Sequence, residues 1–521
     1  MSIYQTIYCN FLEIGVYCIK SHQWEDFFVK KRNLLALLLA MLMLASCAGG
    51  GTDSGDTEIK ESDSAADTEV ETKPDILDGL SYGGRTFRIL TSDTDISSND
   101  LIEGSGELTG DNVNDAVYAR NLAVEEQLDV GLAYEHANNA WGDVYKSVQT
   151  LVLSGDATYD LLIDDQLGFA TASIDMLFYD VATLPTVDFT EDCWWGDYMQ
   201  NLSVDYKHTY LLVGDYFMDV LNHSHALLYN RDLYTDVLGD PDEVYRLVED
   251  GAWTYDAWIP MIEAAYQDIN GDGKTDKDDR FGMIVGGIGG SSFPFTYGGD
   301  VPYITRDENG YPTLTMYGER LSDLYEKIRS VFWSSGTFTK YTENGTDLHE
   351  KFASGGALFI SGCQLGDFGT FRDMEAEVGI IPYPKQDEAQ TNYITVVHDT
   401  AEVGGIPATA ADPDISGAVC HALCRATHET VLPAYYEMSL KIKYARDNYT
   451  SAMIDRIHDG IMDMFSLVYG AQYANNITTW TILEPLQKNG DSITSAYETR
   501  QQAAVTGLAE LVSTFEANLS K

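Results

Sequence analysis

The sequence predicts an α/β fold in which short strands alternate with helices and pair mostly in parallel. Three observations carry this. Residues 85–164 run strand, helix, strand, helix, strand, the rhythm of a parallel sheet covered by helices. Short apolar runs at 281–287, 356–362, 377–384 and 401–408 are bounded by Gly and Pro, as buried strands are. No repeat of fixed period is visible along the chain.

RTFRILT (85–91) reads as the first strand. NVNDAVYARNLAVEEQLDV (112–130) is an amphipathic helix with Asn and Asp near its start. GLAYEH is a second strand, WGDVYKSVQTLVLSG a second helix, and TYDLLID (158–164) a third strand. Residues 210–229 look strand-like, with a helix starting at RDLY. WTYDAWIPMIEAAYQD (253–268) is an amphipathic helix with Thr254 as N-cap, and the five-residue spacing of Trp253 and Trp258 suits the core. FGMIVGG, GALFISG, EVGIIPYP and AEVGGIPA are further strands, and the chain is chiefly helical from about 412.

The N-terminal part reads as an export signal. Lys30-Lys31-Arg32 precedes LLALLLAMLMLA (34–45), an apolar run of twelve. That is short of the ~20 residues that span a membrane, and fits a signal-peptide core. It ends in Leu44-Ala45-Ser46-Cys47, which resembles the bacterial lipobox, a signal whose Cys is acylated and becomes the new N-terminus. Residues 1–46 are thus a signal region. Residues 1–28 do not suit one, so Val29 is a candidate for the true start. Residues 47–80 follow as the lipidated Cys47 and a disordered acidic tether rich in Gly, Ser, Thr, Asp and Glu, reaching at most ~110 Å.

The chain carries 82 acidic against 32 basic residues, a formal net charge of −50. Such a body does not bind nucleic acid or anionic lipid by charge. Cys193, Cys363, Cys420 and Cys424 remain after the N-terminal cysteines are set aside. Cys420 and Cys424, with His421 and His428 nearby, fit no common zinc spacing and read as small core residues.

DINGDGKTDKDD (268–279) matches a twelve-residue calcium loop. Asp268, Asn270, Asp272, the Lys274 carbonyl, Asp276 and Asp279 stand at the ligand positions, with Gly273 at the sharp turn. The departure is Asp rather than Glu at the last position. There is no second copy, as a calcium sensor would have, and Gly273-Lys274-Thr275 is no phosphate loop because Asp268 stands where that motif needs Gly. The loop reads as a structural Ca²⁺ staple.

Taken together, the lipobox, the tether, SGDATYDLLI, HALLYNRDLY, GAWTYDAWIPMIEAAY, DINGDGKTDKDDRFG, FASGGALFISG, EVGIIPYPK and GGIPA resemble extracellular solute-binding lipoproteins of sugar-type ABC importers. The resemblance rests on order and spacing over roughly 84–470. It implies a two-lobed α/β clamp, the periplasmic-binding-protein-like fold, with hinge-connected lobes. The first lobe would be 84–213 with 364–425. The second would be 229–356 with 430–521 and would carry the calcium loop. In that family the strand at Gly355–Leu358 returns the chain to the first lobe, and Pro382-Tyr383-Pro384 ends a strand of the returned segment. The resemblance further implies a monomer, anchored by lipid (palmitate) to the extracellular face of the cell membrane. Its partners would be a sugar or oligosaccharide and the ABC permease, to which lobe closure reports occupancy.

A sugar site needs flat aromatic platforms with amides and carboxylates in plane. Trp194 and Trp195, Tyr297, Trp333, Asp215 and Asn222 are the candidates. Two rival classes stay open. A secreted carbohydrate-active enzyme would use paired carboxylates, although no nucleophile elbow or metalloprotease motif is present. A binding protein for peptides or other solutes would share the fold.

Overall fold

The computed structural model describes residues 75–521, apart from 95–96, 138–142, 287–291, 340–344, 372–373, 442–448 and 462–464. The signal region, Cys47 and the tether up to Pro74 lie outside the described residues.

Two sheets organise the chain. The first has the order β11-β3-β1-β2, from β1 (Arg85–Thr91), β2 (Val130–His136), β3 (Leu161–Asp165) and β11 (Glu402–Gly405). β1 pairs in parallel with β2 and β3, Ile89 lying opposite Leu161, and β11 closes the far side antiparallel to β3. The crossovers are α1 (Asn112–Leu128) and α2 (Asp143–Ser154). Asp111 caps α1 by accepting from the N–H groups of Val113 and Asn114, and Asp129 ends it in the left-handed region. These elements form where the sequence pattern places them.

The second sheet has the order β10-β4-β9-β5-β8. Its strands are β4 (His225–Asn230), β5 (Phe281–Ile284), β8 (Thr337–Phe338), β9 (Ala357–Gln364) and β10 (Val378–Ile381). β6 (Ile304–Arg306) and β7 (Pro312–Leu314) make a separate hairpin. Thr254 caps the helix Tyr255–Ala265, as expected, and Trp253 and Trp258 are fully buried.

The structure corrects the sequence reading in three places. The stretch 210–229 is not one strand. Leu212 and Gly214 form isolated bridges to Gly404 and Trp194, Asp219–Asn222 is a short helical turn, and the strand is 225–230. β9 does not return the chain to the first sheet but lies between β4 and β5. The Pro-x-Pro strand β10, expected beside the first sheet, pairs antiparallel with β4. Gly379 permits this: a Cβ there would lie 2.1 Å from Tyr229 Cε1, so the ring packs where a side chain would stand.

The chain leaves the first sheet through 223–225 and returns through 396–398. Ser224 and Val397 form an antiparallel bridge, His225 N–H donates to Val396 O at 2.9 Å, and His398 N–H donates to His223 O at 3.0 Å. The helices beyond 430 contact both layers. Tyr469 donates to Leu202 O at 2.9 Å, while Thr478 and Thr479 bond Tyr297.

Candidate functional site

In open α/β sheets, ligands bind outside the carboxyl ends of parallel strands. That edge of the first sheet holds the ends of β1 and β3 and the start of β11. Asp165 ends β3 and caps the next helix, accepting from Gly168 N–H at 2.7 Å. Gln166 donates to His398 O at 2.9 Å and accepts from the Tyr198 hydroxyl at 2.9 Å. Burial and the nearby Asp399 push the Asp165 carboxyl upward, opposed by the cap. The His398 ring lies 6.0 Å from Phe293, and Phe293 lies 6.3 Å from Tyr297.

Beside this edge is a cavity of about 360 Å³ lined by Tyr206, Tyr297, Asp300, Tyr303, Arg306 and Thr395 among others. It therefore joins the first sheet's loops, the second sheet's loops and the returning segment. Tyr297 shares its hydroxyl with Thr478 and Thr479 at 2.8 and 2.9 Å, and the Tyr303 hydroxyl donates to Thr296 O. Arg306 lies 4.5 Å over the Tyr206 ring and donates to the carbonyls of Val204, Asn201 and Ser203 at 2.8 Å each. Both terminal nitrogens of the guanidinium are thus committed to backbone carbonyls. The cavity offers ring faces, hydroxyls and the exposed Asp300, which suits an uncharged polar guest. Two larger hollows, of about 570 and 420 Å³, are not lined by the crossing segments.

Of the residues picked from the sequence, Tyr297 lines this cavity. Trp194 does not offer a platform: it is buried, donates to His421 Nδ1 at 2.8 Å and packs edge-on against Phe189. Trp195 is half-buried and donates to Asp215 Oδ1 at 2.9 Å, with its ring 5.2 Å from that of His458. Asp215 also faces His428 Nδ1 at 2.6 Å, and burial raises its carboxyl above the usual range against the pull of Trp195 and His428. Asn222 donates to Ser98 Oγ at 2.9 Å and accepts from the Tyr435 hydroxyl at 3.0 Å. Trp333 is 51% exposed and donates to Leu486 O, away from the cavity. Tyr206, which lines the cavity, and Phe293, His398, Asp165 and Asp399, which stand at the sheet edge and do not line it, were missed. The paired Asp164-Asp165 at the end of an apolar strand, and His398-Asp399 between two apolar runs, were the available signals.

The calcium loop is closed at its base, where Gln267 and Arg280 exchange backbone hydrogen bonds at 2.9 and 3.0 Å. Gly273 has φ 74°, the left-handed turn expected there. Asp268 accepts from the N–H groups of Gly271 and Gly273, Asn270 from that of Asp272, Asp272 from that of Lys274, and Asp276 from that of Asp278. Asp279 is fully buried. Its Oδ2 accepts from the Tyr266 hydroxyl at 3.1 Å, while its Oδ1 has no partner among the described residues. An unmet buried carboxylate oxygen in a loop of this donor set fits a hard cation.

Among the described residues, Glu191, Cys193 and His421 bring ligand-type atoms within 4.8 Å of one another. They do not suit a metal. Trp194 N–H donates to His421 Nδ1, so the neutral ring carries its proton on Nε2, the nitrogen facing Glu191 and Arg425. Burial pushes the Cys193 thiol up to about 12, far from a thiolate. Cys363, Cys420 and Cys424 are likewise buried and unpaired by disulfides.

A scan against protein-family models finds no match, and neither does a search of curated proteins. Solved structures do match. An ABC transporter solute-binding protein from Thermotoga lettingae, bound with α-D-tagatose, aligns at TM-score 0.51 and 12% identity, over 82% of this chain and 100% of that one. The galacto-N-biose/lacto-N-biose I-binding protein of the Bifidobacterium longum ABC transporter, in complex with lacto-N-biose, gives 0.53 and 11%, over 83% and 98%. UgpB from Mycobacterium tuberculosis, in complex with glycerophosphocholine, gives 0.53 and 13%, over 83% and 100%. The chain therefore has the two-lobed α/β fold of these solute-binding proteins.

Proposed function

We propose that this protein is a lipid-anchored extracellular binding protein of an ABC importer, which captures an uncharged carbohydrate between its lobes and passes it to a membrane permease. The observation that carries this reading is the cavity at the crossing. It is lined by tyrosines from both sides and by the returning segment, and the terminal nitrogens of its one arginine donate to backbone carbonyls. Solved proteins of the same fold hold α-D-tagatose and lacto-N-biose. Closure of two bodies about paired crossing strands transmits occupancy without consuming the ligand.

The membrane anchor would be Cys47, after removal of the signal region. Among the described residues no helix is long and apolar enough to cross a membrane. Ca²⁺ would be held by Asp268, Asn270, Asp272, the Lys274 carbonyl, Asp276 and Asp279. The unpartnered Asp279 Oδ1 supports that set, and the ion would brace the turn between the Tyr255–Ala265 helix and β5.

Tryptophan fluorescence tests the binding reading. Maltotetraose, lacto-N-biose, tagatose and glycerophosphocholine should be titrated in turn. A saturable shift with a sugar, with no release of reducing ends, is expected. Turnover of the sugar would favour a secreted enzyme, and a response to glycerophosphocholine alone would move the protein to another solute class.

A further inference from the structure

Asp279 closes the loop 268–279 and is fully buried. Its two carboxylate oxygens differ. Oδ2 accepts from the Tyr266 hydroxyl at 3.1 Å and from the Asp276 N–H at 3.2 Å. Oδ1 has no partner among the described residues. The single hydroxyl proton of Tyr266 goes to Asp279, so towards the Thr275 hydroxyl, 3.3 Å away, Tyr266 is the acceptor. The backbone of Asp279 is held as well. Its carbonyl accepts from Lys351 Nζ at 2.6 Å, and the same ammonium donates to Lys277 O at 2.9 Å. The next residue, Arg280, pairs with Gln267. Lys351 stands on the helix Gly345–Ala353, outside the loop. A side chain this short, on a backbone fixed from both sides, does not swing round to present both oxygens to the loop.

We propose that Asp279 meets a cation through Oδ1 alone, that Tyr266 is the positioning residue that keeps Oδ2 from it, and that the loop therefore takes Mg²⁺ as well as Ca²⁺. The inference rests on the reading of 268–279 as a cation loop. One oxygen each from Asp268, Asn270, Asp272, the Lys274 carbonyl, Asp276 and Asp279 makes six. Six is the low end of the range that Ca²⁺ takes, about 6–8, and it is the number that Mg²⁺ demands. A last residue binding through both oxygens, as the longer Glu does, would supply a seventh and favour the larger ion. The shorter Asp279 withholds it because its second oxygen already has two donors. A Tyr266–Asp279 bond that merely braced the turn would affect both ions alike, whereas one that withholds an oxygen sets the choice between them.

Calorimetric titration of the full chain, stripped with EDTA and dialysed free of it, with Ca²⁺ and with Mg²⁺ in turn tests this. Wild type should bind both, Ca²⁺ the tighter by no more than about ten-fold. Tyr266→Phe keeps the ring against Phe281, with centroids 5.8 Å apart, and removes only the hydroxyl. It should tighten Ca²⁺ about five-fold, the equivalent of one hydrogen bond released, and leave Mg²⁺ unchanged. Asp279→Glu should tighten Ca²⁺ by about ten-fold or more and not tighten Mg²⁺. A wild type that binds Ca²⁺ and ignores millimolar Mg²⁺ overturns the proposal and leaves the cation loop standing. So does a Y266F protein whose two affinities move together or not at all. A wild type that binds neither ion removes the loop reading, and the inference with it. If Asp279→Glu does not fold, the wild-type and Y266F arms decide it.

Discussion

The Trp195 indole donates to Asp215 Oδ1 at 2.9 Å, and the other oxygen of that carboxylate takes His428 Nδ1 at 2.6 Å. Two residues more than 200 positions apart along the chain are held by one buried acid ahead of the outgoing crossing. Asp215→Ala leaves the indole and imidazole without their acceptor. It should cost about 2–3 kcal/mol, as the loss of a buried charged acceptor does. Urea unfolding would show this as a lower midpoint at unchanged slope, with Trp195 emission shifted to the red.

Glu402 predicts a pH dependence of stability. Burial and Asp219 push its carboxyl up to about 8, against 4.5 for an ordinary glutamate. Its stability contribution is therefore complete below about 4.5 and is lost as pH rises to about 8. Over that window the unfolded chain releases the proton and the folded chain keeps it. Each unit of the window corresponds to about 1.4 kcal/mol. E402Q removes this slope, so its advantage over wild type should grow from pH 5 to pH 8. Unfolding measured at pH 5, 6.5 and 8 checks it, and parallel curves for the two proteins would contradict it.

Asp279 predicts the metal response. At a hundred-fold excess of Ca²⁺ over Kd the folded state should gain about 2.7 kcal/mol, read as a rise in Tm that EDTA reverses. In Asp279→Ala the EDTA response should vanish. A Tm indifferent to EDTA in wild type would remove the ion from the account.

Gly379 predicts the cost of moving β10. Its missing side chain makes room for the Tyr229 ring. Gly379→Ala should destabilise the protein by about 1–3 kcal/mol through overpacking. A near-neutral effect would mean that β10 does not sit against Tyr229.

Much of the fold is legible in the sequence because local periodicity and packing agree over β1, α1, β2 and β3. Asp111 and Thr254 cap helices that the pattern also predicts. The sheet membership of β9 and β10 is not legible. A short run such as VGII buries both faces, so its pattern does not name its neighbour, and the close fit of Tyr229 over Gly379 is visible only once the strands are paired. The candidate site is legible in part. Tyr297 was visible beside a Gly-rich turn, whereas Tyr206 and Arg306 meet only through the tertiary fold, the guanidinium lying 4.5 Å over the ring. Trp194 shows the opposite failure. A Trp pair in a turn resembles a platform, but Trp194 is taken into the core by His421 on a helix more than 200 residues away.

Tyr206 lines the cavity and is 37% exposed. Tyr206→Ala should weaken sugar binding by about ten-fold through loss of a stacking face, with unfolding changed by no more than about 1 kcal/mol. Calorimetric titration with the sugar that shifts tryptophan emission checks this.

The central claim is that two bodies close about the crossing at 223–225 and 396–398 on an uncharged guest. Small-angle scattering of the protein with and without each sugar is its most direct test. A radius of gyration that contracts at saturation with one sugar of the panel, and recovers when the sugar is dialysed away, is the predicted result. One unchanging radius across the whole panel, with no binding heat, would contradict it.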